Sequence, residues 1–140
     1  MIESAPSRAP RVVRADMNLT PMRFADTVVL APVGRVDHVT ADAFQAALSP
    51  HLALCAAGRD RLVLDLAGVE YISSVGLRVL LLASKQAKGQ GGTLVVAALQ
   101  SVVREIFEIS RFTLVLNVEP TVREALAKLS PAALAAFDAE

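Results

Sequence analysis

The sequence predicts an α/β fold, in which a mixed, mainly parallel β-sheet with an N-terminal hairpin is covered by about four α-helices. Three observations support this prediction. Short aliphatic runs alternate with longer amphipathic segments along most of the chain, and strands separated by helices pair in parallel. Of the 140 residues, 54% are hydrophobic and 4% aromatic, as expected for aliphatic strands buried on both faces. Near the start, only Ala25 and Asp26 separate two strand-like segments.

The hairpin and the first helix open the predicted domain. The hairpin strands are expected within 18–24 and 27–33, and 34–37 is expected to turn the chain. Thr40 is positioned to cap a helix. One apolar stripe then follows at spacings of four, four and three, formed by Phe44, Leu48, Leu52 and Cys55. Because a proline inside a helix removes a hydrogen bond, Pro50 predicts a kink or break near Ser49.

The stretch 61–89 predicts a buried strand, a loop that contains serine, and a helix. The run 62–64 is aliphatic, and a Leu- and Ala-rich segment follows Ser74. Ser74 is predicted to cap this helix, because its hydroxyl can accept a bond from a free amide of the first turn. The positive end of the helix dipole would lie at the same place.

Two further strands and two further helices complete the prediction. Strands are expected at 93–97 and 115–118. Ser101 is predicted to cap one helix, whose buried face would contain Val102, Ile106 and Ile109. Thr121 and Glu124 have the spacing of a reciprocal capping box for the other. The domains expected are a flexible leader at 1–16, a single domain at 17–130, and a C-terminal tail at 131–140 that forms a short extra helix or a frayed end.

Charge and cysteine content exclude several classes of function. Fourteen basic and fourteen acidic residues balance, so no general attraction to nucleic acid is expected. The three arginines of the leader leave a phosphate- or lipid-binding arm as a minor alternative. One cysteine excludes an internal disulfide, and two histidines are few for a metal site. No stretch predicts a membrane span or a signal peptide. A cytoplasmic protein without a cofactor is expected.

The residues capable of chemistry do not form a recognisable catalytic set. The serines at 73 and 74 are not in a Gly-x-Ser-x-Gly context, and no histidine is placed to assist them. The glycine-rich 89–92 follows a helix, whereas a phosphate-binding loop precedes one. Asp37 and Asp65 would lack further ligands as a metal pair. The sequence therefore predicts no enzyme, and a nucleotide-binding domain is a remote alternative.

The segments 64–66 and 69–77, which read Leu-Asp-Leu and Val-Glu-Tyr-Ile-Ser-Ser-Val-Gly-Leu, resemble the STAS domain family. This family includes bacterial anti-sigma factor antagonists and the cytoplasmic tails of sulfate transporters. Gly-Arg-Val-Asp at 34–37 and the stretch 111–126 are also similar to the family, so the resemblance covers about 18–129. The usual loop of the antagonists reads Asp-Ser-Ser-Gly-Leu. Aligned on Gly76, this chain has Ser73 at the aspartate and Val75 at the second serine.

The resemblance implies an anti-sigma factor antagonist that acts by partner switching and is not an enzyme. Its partner would be an anti-sigma factor that is also a serine kinase of the histidine-kinase-like ATPase type, and a phosphatase is a further expected partner. The resemblance places the phosphorylated hydroxyl at Ser74. The expected partner-binding residues are Asp37, Ser73, Ser74, Val75, Gly76 and Arg78.

Simple electrostatics supports such a switch. A phosphate adds about 1.5 to 2 negative charges, which would oppose a partner packed against the helix start. Three alternatives stay open. Ser74 could be a helix cap alone, the domain could be an adaptor that docks on a transporter ATPase or sensory complex without phosphorylation, and the exposed Arg78, Lys85 and Lys88 could be only a solvated face.

Overall fold

The computed structural model describes residues 17–140, and the predicted leader at 1–16 lies outside the described residues. The described chain contains seven β-strands and five α-helices. The strands are β1 (Met22–Phe24), β2 (Thr27–Leu30), β3 (Gly34–Val36), β4 (Arg61–Asp65), β5 (Val69–Ile72), β6 (Leu94–Ala97) and β7 (Asn117–Glu119). The helices are α1 (Ala41–Ala53), α2 (Ser74–Gly89), α3 (Ser101–Ile109), α4 (Val122–Leu129) and α5 (Pro131–Asp138), and a short 3₁₀ turn spans Phe112–Leu114.

The main sheet has the order β1-β2-β4-β6-β7. Strands β1 and β2 form an antiparallel hairpin, and every other neighbouring pair in this sheet is parallel. Helices connect the parallel strands, as their direction requires. The predicted α/β class with a mixed, mainly parallel sheet and an N-terminal hairpin is therefore confirmed.

Strands β3 and β5 form a separate two-stranded parallel sheet, in which Val36 is the partner of Ile72. The predicted turn at 34–37 was wrong over its first three residues, and Tyr71 lies in a strand rather than in a loop. Both strands are too short to show an alternating pattern of apolar residues. This small sheet leads directly into helix α2, so its position decides where the serines lie.

Each face of the main sheet has its own hydrophobic core. Helices α1, α2 and α3 cover one face, where Phe44, Leu80 and Phe107 are almost fully buried. Helices α4 and α5 cover the other, where Leu126 and Ala133 are buried. Strands β4 and β6 are buried on both sides, which explains their continuous aliphatic sequences.

Helix α1 differs from its prediction in two ways. It runs unbroken through Pro50 to Ala53, so the expected break near Ser49 was wrong. Proline removes the bond to the carbonyl of Ala46, but both residues are exposed and water can satisfy that carbonyl. Thr40 precedes the helix without capping it through its side chain. Its hydroxyl instead donates to the Arg35 carbonyl at 2.8 Å.

Helix α3 turns a different face inward from the one predicted. Val103 and Phe107 are its buried residues, and the predicted Ile106 packs half-buried against the same core, whereas Val102 and Ile109 are exposed. Its N-cap is Gln100 and not Ser101, which is the first helical residue. The strand expected at 115–118 is displaced to β7. The predicted stripe mixed two neighbouring faces of the helix, since apolar residues occur on both.

The C-terminal segment matches one of its two alternatives, because it forms the short extra helix α5. The Ser130 hydroxyl caps α5 by accepting from the Ala133 amide at 3.1 Å. At the start of α4, the predicted capping box is half formed. Thr121 accepts from the Glu124 amide at 3.0 Å, while the Glu124 carboxylate accepts from the Thr121 hydroxyl instead of its backbone amide.

Candidate functional site

The start of helix α2 lies beside the end of strand β3. Because β3 and β5 are parallel, their carboxyl ends meet, and Asp37 follows one strand as Ser73 follows the other. The Ser73 amide donates to the Val36 carbonyl at 2.9 Å, which continues the strand pairing to the first turn of the helix. Asp37 and the two serines, which are far apart in the sequence, therefore occupy one end of the small sheet.

Ser73, and not Ser74, caps helix α2. The backbone of Ser73 is extended, and its hydroxyl oxygen accepts from the Gly76 amide at 3.3 Å. The predicted cap was therefore wrong by one residue, and so was the alternative that Ser74 serves only as a cap. Ser74 is the first helical residue and is exposed. Within 17–140, its hydroxyl makes no hydrogen bond.

Gly76 explains how closely the helix approaches strand β3. A Cβ atom at this position would lie 2.8 Å from three atoms, which are the Cγ1 of Ile72, the Cγ1 of Val36 and the carbonyl oxygen of Val36. Such distances are too short for any side chain. Gly76 is buried, so it fixes the position of the serines and does not itself form part of the exposed surface.

Asp37 organises the loop that faces the serines. Its carboxylate accepts from the amides of Val39 at 3.0 Å and Thr40 at 3.3 Å. These bonds, the one from Val39 first, hold the pKa of Asp37 below its usual value, and a bond from Arg35 acts in the same direction. The carboxylate therefore stays ionised and holds a fixed loop beside the helix start.

Arg35 is a residue of this site that the sequence analysis did not select. Its guanidinium carbon lies 4.4 Å from the centroid of the Tyr71 ring, and its Nε lies 3.5 Å from the Asp37 carboxylate. The side chain is 57% exposed, so these contacts orient the cation without burying it. The Gly-Arg-Val-Asp sequence contains this arginine, but only the pairing of β3 with β5 shows its position.

Two exposed valines give the site an apolar component. Val75 is 44% exposed at the second position of helix α2, and Val39 is 74% exposed in the loop held by Asp37. Arg78 is exposed one turn after Ser74. We call Val39, Ser74, Val75 and Arg78 the switch face. Of the other residues predicted for partner binding, Asp37 follows strand β3 at the same end of the small sheet, Ser73 caps the helix, and Gly76 is buried beneath its start.

In the described part of the chain, no three His, Cys, Asp or Glu side chains are grouped to hold a metal ion. No helix among residues 17–140 is both long and apolar enough to span a membrane. Asp65 accepts from the Ala67 amide in a turn. Gln90, in the glycine-rich loop, donates to the carbonyls of Leu52 and Cys55, as expected for a structural connection between helix and strand.

This mainly parallel sheet with its serine-bearing helix start is the kind of domain that the STAS family model describes, and that model matches residues 20–125. The chain therefore belongs to the STAS domain family. It is 39% identical over 118 residues to BtrV of Bordetella bronchiseptica, whose name assigns it to the anti-sigma factor antagonists. That match covers 84% of this chain and 98% of BtrV.

Solved structures show the same fold. An anti-sigma factor antagonist from Mycobacterium paratuberculosis superposes with a TM-score of 0.71 at 24% identity, covering 82% of this chain and 95% of that one. The Bacillus cell fate determinant SpoIIAA in its phosphorylated form gives a TM-score of 0.59 at 18% identity, covering 81% of this chain and 99% of that one. The expected membership of the STAS family, in its anti-sigma factor antagonist group, is confirmed.

Proposed function

We propose that this protein is an anti-sigma factor antagonist that binds an anti-sigma factor through the switch face. The partner would also be a serine kinase of the histidine-kinase-like ATPase type, which phosphorylates Ser74 and so ends the interaction. The observation that supports this proposal best is the division of roles between the two serines. Ser73 caps the helix, which leaves the Ser74 hydroxyl exposed and without a structural role in the described chain.

The chemistry of the switch face fits both states of such a switch. Val39 and Val75 offer apolar area to a partner, and Arg78 offers a positive charge at the rim. A phosphate on Ser74 would be stabilised by the free amides of the first helical turn. The phosphate would also be hydrated in the free protein. A partner packed on Val39 and Val75 would remove this hydration at a high cost in free energy. Binding would end while the domain stays folded.

The proposal assigns no catalytic step to this chain. The kinase would supply ATP and its catalytic groups, and the chain would supply the hydroxyl. The exchange would take place in the cytoplasm, where a phosphatase would restore the unmodified serine. SpoIIAA is a relative by fold whose structure is described as a phosphorylated form. At 18% identity, this likeness supports the proposal by analogy alone.

The direct test is to incubate the purified protein with its candidate kinase and ATP, and to map the phosphate by mass spectrometry. We expect one phosphate, on Ser74, and none in the Ser74→Ala variant. The Ser73→Ala variant should still be modified, because Ser73 is half-buried and committed to its cap. Phosphate on another residue, or none at all, would contradict the proposal. Co-purification with a transporter ATPase instead of a kinase would favour the adaptor function.

Charge reversal on helix α2 tests whether its basic residues meet the partner. Arg78 is one turn from Ser74, whereas Lys88 is exposed near the other end of the helix. Arg78→Glu is expected to weaken partner binding about five-fold, corresponding to roughly 1 kcal/mol for a rim charge. Lys88→Glu makes the same change of charge and should leave the affinity unchanged. Equal effects from both variants would show that only the net charge of the protein matters. If Arg78→Glu has no effect, Arg78 does not meet the partner and belongs to a solvated face.

A further inference from the structure

Three exposed aliphatic side chains lie on the short connection from helix α3 to strand β7. Ile109 is 82% exposed, Leu114 is 77% exposed and Val115 is 56% exposed. The chain reverses through Arg111, whose backbone is left-handed with a φ of 61°, and Phe112 anchors the 3₁₀ turn by packing against the core. The aliphatic side chains therefore protrude from a turn that the core holds in place. We call Ile109, Leu114 and Val115 the apolar tip.

A polar groove opens beside the apolar tip. Its volume is about 220 Å³, and it lies between the end of helix α2 and the starts of strands β6 and β7, with Val115 at its rim. Its polar side chains are those of Ser84, Lys88, Thr93 and Asn117, and its lining contains no carboxylate. Within residues 17–140, Lys88 takes part in no salt bridge.

The groove is complementary to a phosphate group. An ammonium, two hydroxyls and an amide can all donate hydrogen bonds, and the oxygens of a phosphodiester accept them. Lys85 and Arg111 add exposed cations near the groove, whereas the exposed acidic residues of this region, Glu105 and Glu108, belong to helix α3 and not to the groove lining. A phosphate site beside a protruding apolar tip matches a phospholipid at the surface of a membrane.

The composition of this end of the molecule favours a lipid over another protein. The residues that contribute most to protein interfaces are enriched in Trp, Tyr and Arg, whereas Leu and Val are under-represented. The apolar tip has three aliphatic side chains and no aromatic ring. The neighbouring edge strand β7 has only three residues and is followed by Pro120, which has no amide hydrogen, so it is poorly suited to pair with a second copy.

We propose that this end of the domain binds the surface of an anionic phospholipid membrane. The apolar tip enters the boundary between headgroups and acyl chains, and the groove holds a lipid phosphate. Lys88 follows Ser74 by fourteen residues of one helix, which corresponds to about 21 Å along its axis. The switch face therefore stays away from the membrane and open to a partner. The inference does not depend on phosphorylation of Ser74.

Co-sedimentation of the full-length protein with vesicles tests the electrostatic part of this proposal. Vesicles of phosphatidylglycerol and phosphatidylcholine in equal parts are compared with vesicles of phosphatidylcholine alone. We expect roughly ten-fold weaker binding to the neutral vesicles, since each cation near an anionic surface contributes about five-fold. Lys88→Ala should weaken binding to the anionic vesicles about five-fold. Lys128→Ala, on helix α4 and the other face of the sheet, should leave it unchanged.

A matched pair of variants tests the apolar tip. Leu114→Asp should weaken binding to the anionic vesicles by about ten-fold, because it removes a buried aliphatic side chain from the complex and adds a negative charge. Val33→Asp makes a similar change at an exposed position after the carboxyl end of strand β2, at the opposite end of the sheet, and should bind as the unmodified protein does. Circular dichroism checks that both variants are folded. Absence of binding to the anionic vesicles, or equal losses in the two variants, would overturn the proposal.

Two further measurements identify a different ligand. Inorganic phosphate that shifts the amide signals of Lys88 and Thr93, in a protein that does not bind vesicles, would assign the groove to a soluble anion. A dimer in sedimentation velocity that Leu114→Asp dissociates would assign the apolar tip to a second copy. Either result would overturn the proposal, whereas a monomer that binds only the anionic vesicles would support it.

Discussion

Replacing Ser74 by aspartate is expected to weaken binding of the anti-sigma factor by about two orders of magnitude without unfolding the domain. The carboxylate would be desolvated against the partner between Val39 and Val75, and an unmatched charge at an interface costs several kcal/mol. At the first position of helix α2 the same charge is favourable to the fold, by roughly 0.3 to 1 kcal/mol. Titration calorimetry for affinity and thermal unfolding for stability measure the two effects separately.

Two alanine variants serve as controls for this experiment. Ser74→Ala should bind the partner as the unmodified protein does, since it removes a hydroxyl without adding charge. Ser73→Ala removes the cap bond to the Gly76 amide, and should lower the free energy of unfolding by about 1 kcal/mol. Tight binding by the Ser74→Asp variant would contradict the proposed switch. A stability loss in Ser74→Ala equal to that in Ser73→Ala would contradict the assigned cap.

Gly76→Ala is expected to be the most damaging single methyl addition in helix α2. Its Cβ would lie 2.8 Å from atoms of Ile72 and Val36, one of them a backbone oxygen in strand β3. Either the helix start or β3 must move, at an expected cost of about 2 kcal/mol even after the better helix propensity of alanine. For a domain of this size, that corresponds to a decrease of roughly 6 to 10 °C in Tm.

Gly89→Ala is the matched control, because it makes the same change at the last residue of the same helix. No atom would lie within 4 Å of the added Cβ. This variant should be neutral or stabilised by about 0.5 kcal/mol, since alanine restricts the unfolded chain. Calorimetry would compare the Tm values of Gly76→Ala and Gly89→Ala with that of the unmodified protein. Equal Tm values for the two would show that the helix start yields to the added methyl without strain.

Much of this architecture could be predicted from the sequence, because the relevant signals are local. The aliphatic runs of β4 and β6 and the helices between strands indicate a parallel sheet, and the two-residue separation of β1 from β2 indicates a hairpin. The Thr121 cap was also predicted correctly, since threonine three residues before glutamate is a specific pattern. These features depend on neighbouring residues alone.

The small sheet of β3 and β5 could not be predicted in the same way. Its strands have three and four residues, and their pairing joins segments more than thirty residues apart. Prediction of the cap failed for a related reason. Ser73 and Ser74 have equal propensity for a cap, and the choice between them depends on the bond from the Ser73 amide to Val36. Tertiary contacts therefore decide both features.

The candidate site, too, could be predicted only in part, because some of its residues are placed by tertiary contacts. A resemblance in sequence selected Ser74 and Asp37, but neither Val39 nor Arg35. Val39 is an apolar residue between polar ones, and only the loop held by Asp37 shows that it is exposed beside the helix start. Arg35 acquires its orientation from Tyr71, a contact across the small sheet.

The close packing of Gly76 against Val36 has a consequence for how quickly the protein can respond to a signal. The hydroxyl of Ser74 is attached to a helix start that packs closely against strand β3. In the proposed switch, no hinge or lid needs to rearrange between the two states. The response time would then be set by the kinase, the phosphatase and the dissociation of the partner. Each molecule would be either bound or released, and the strength of the cellular output would be the fraction of the population without phosphate.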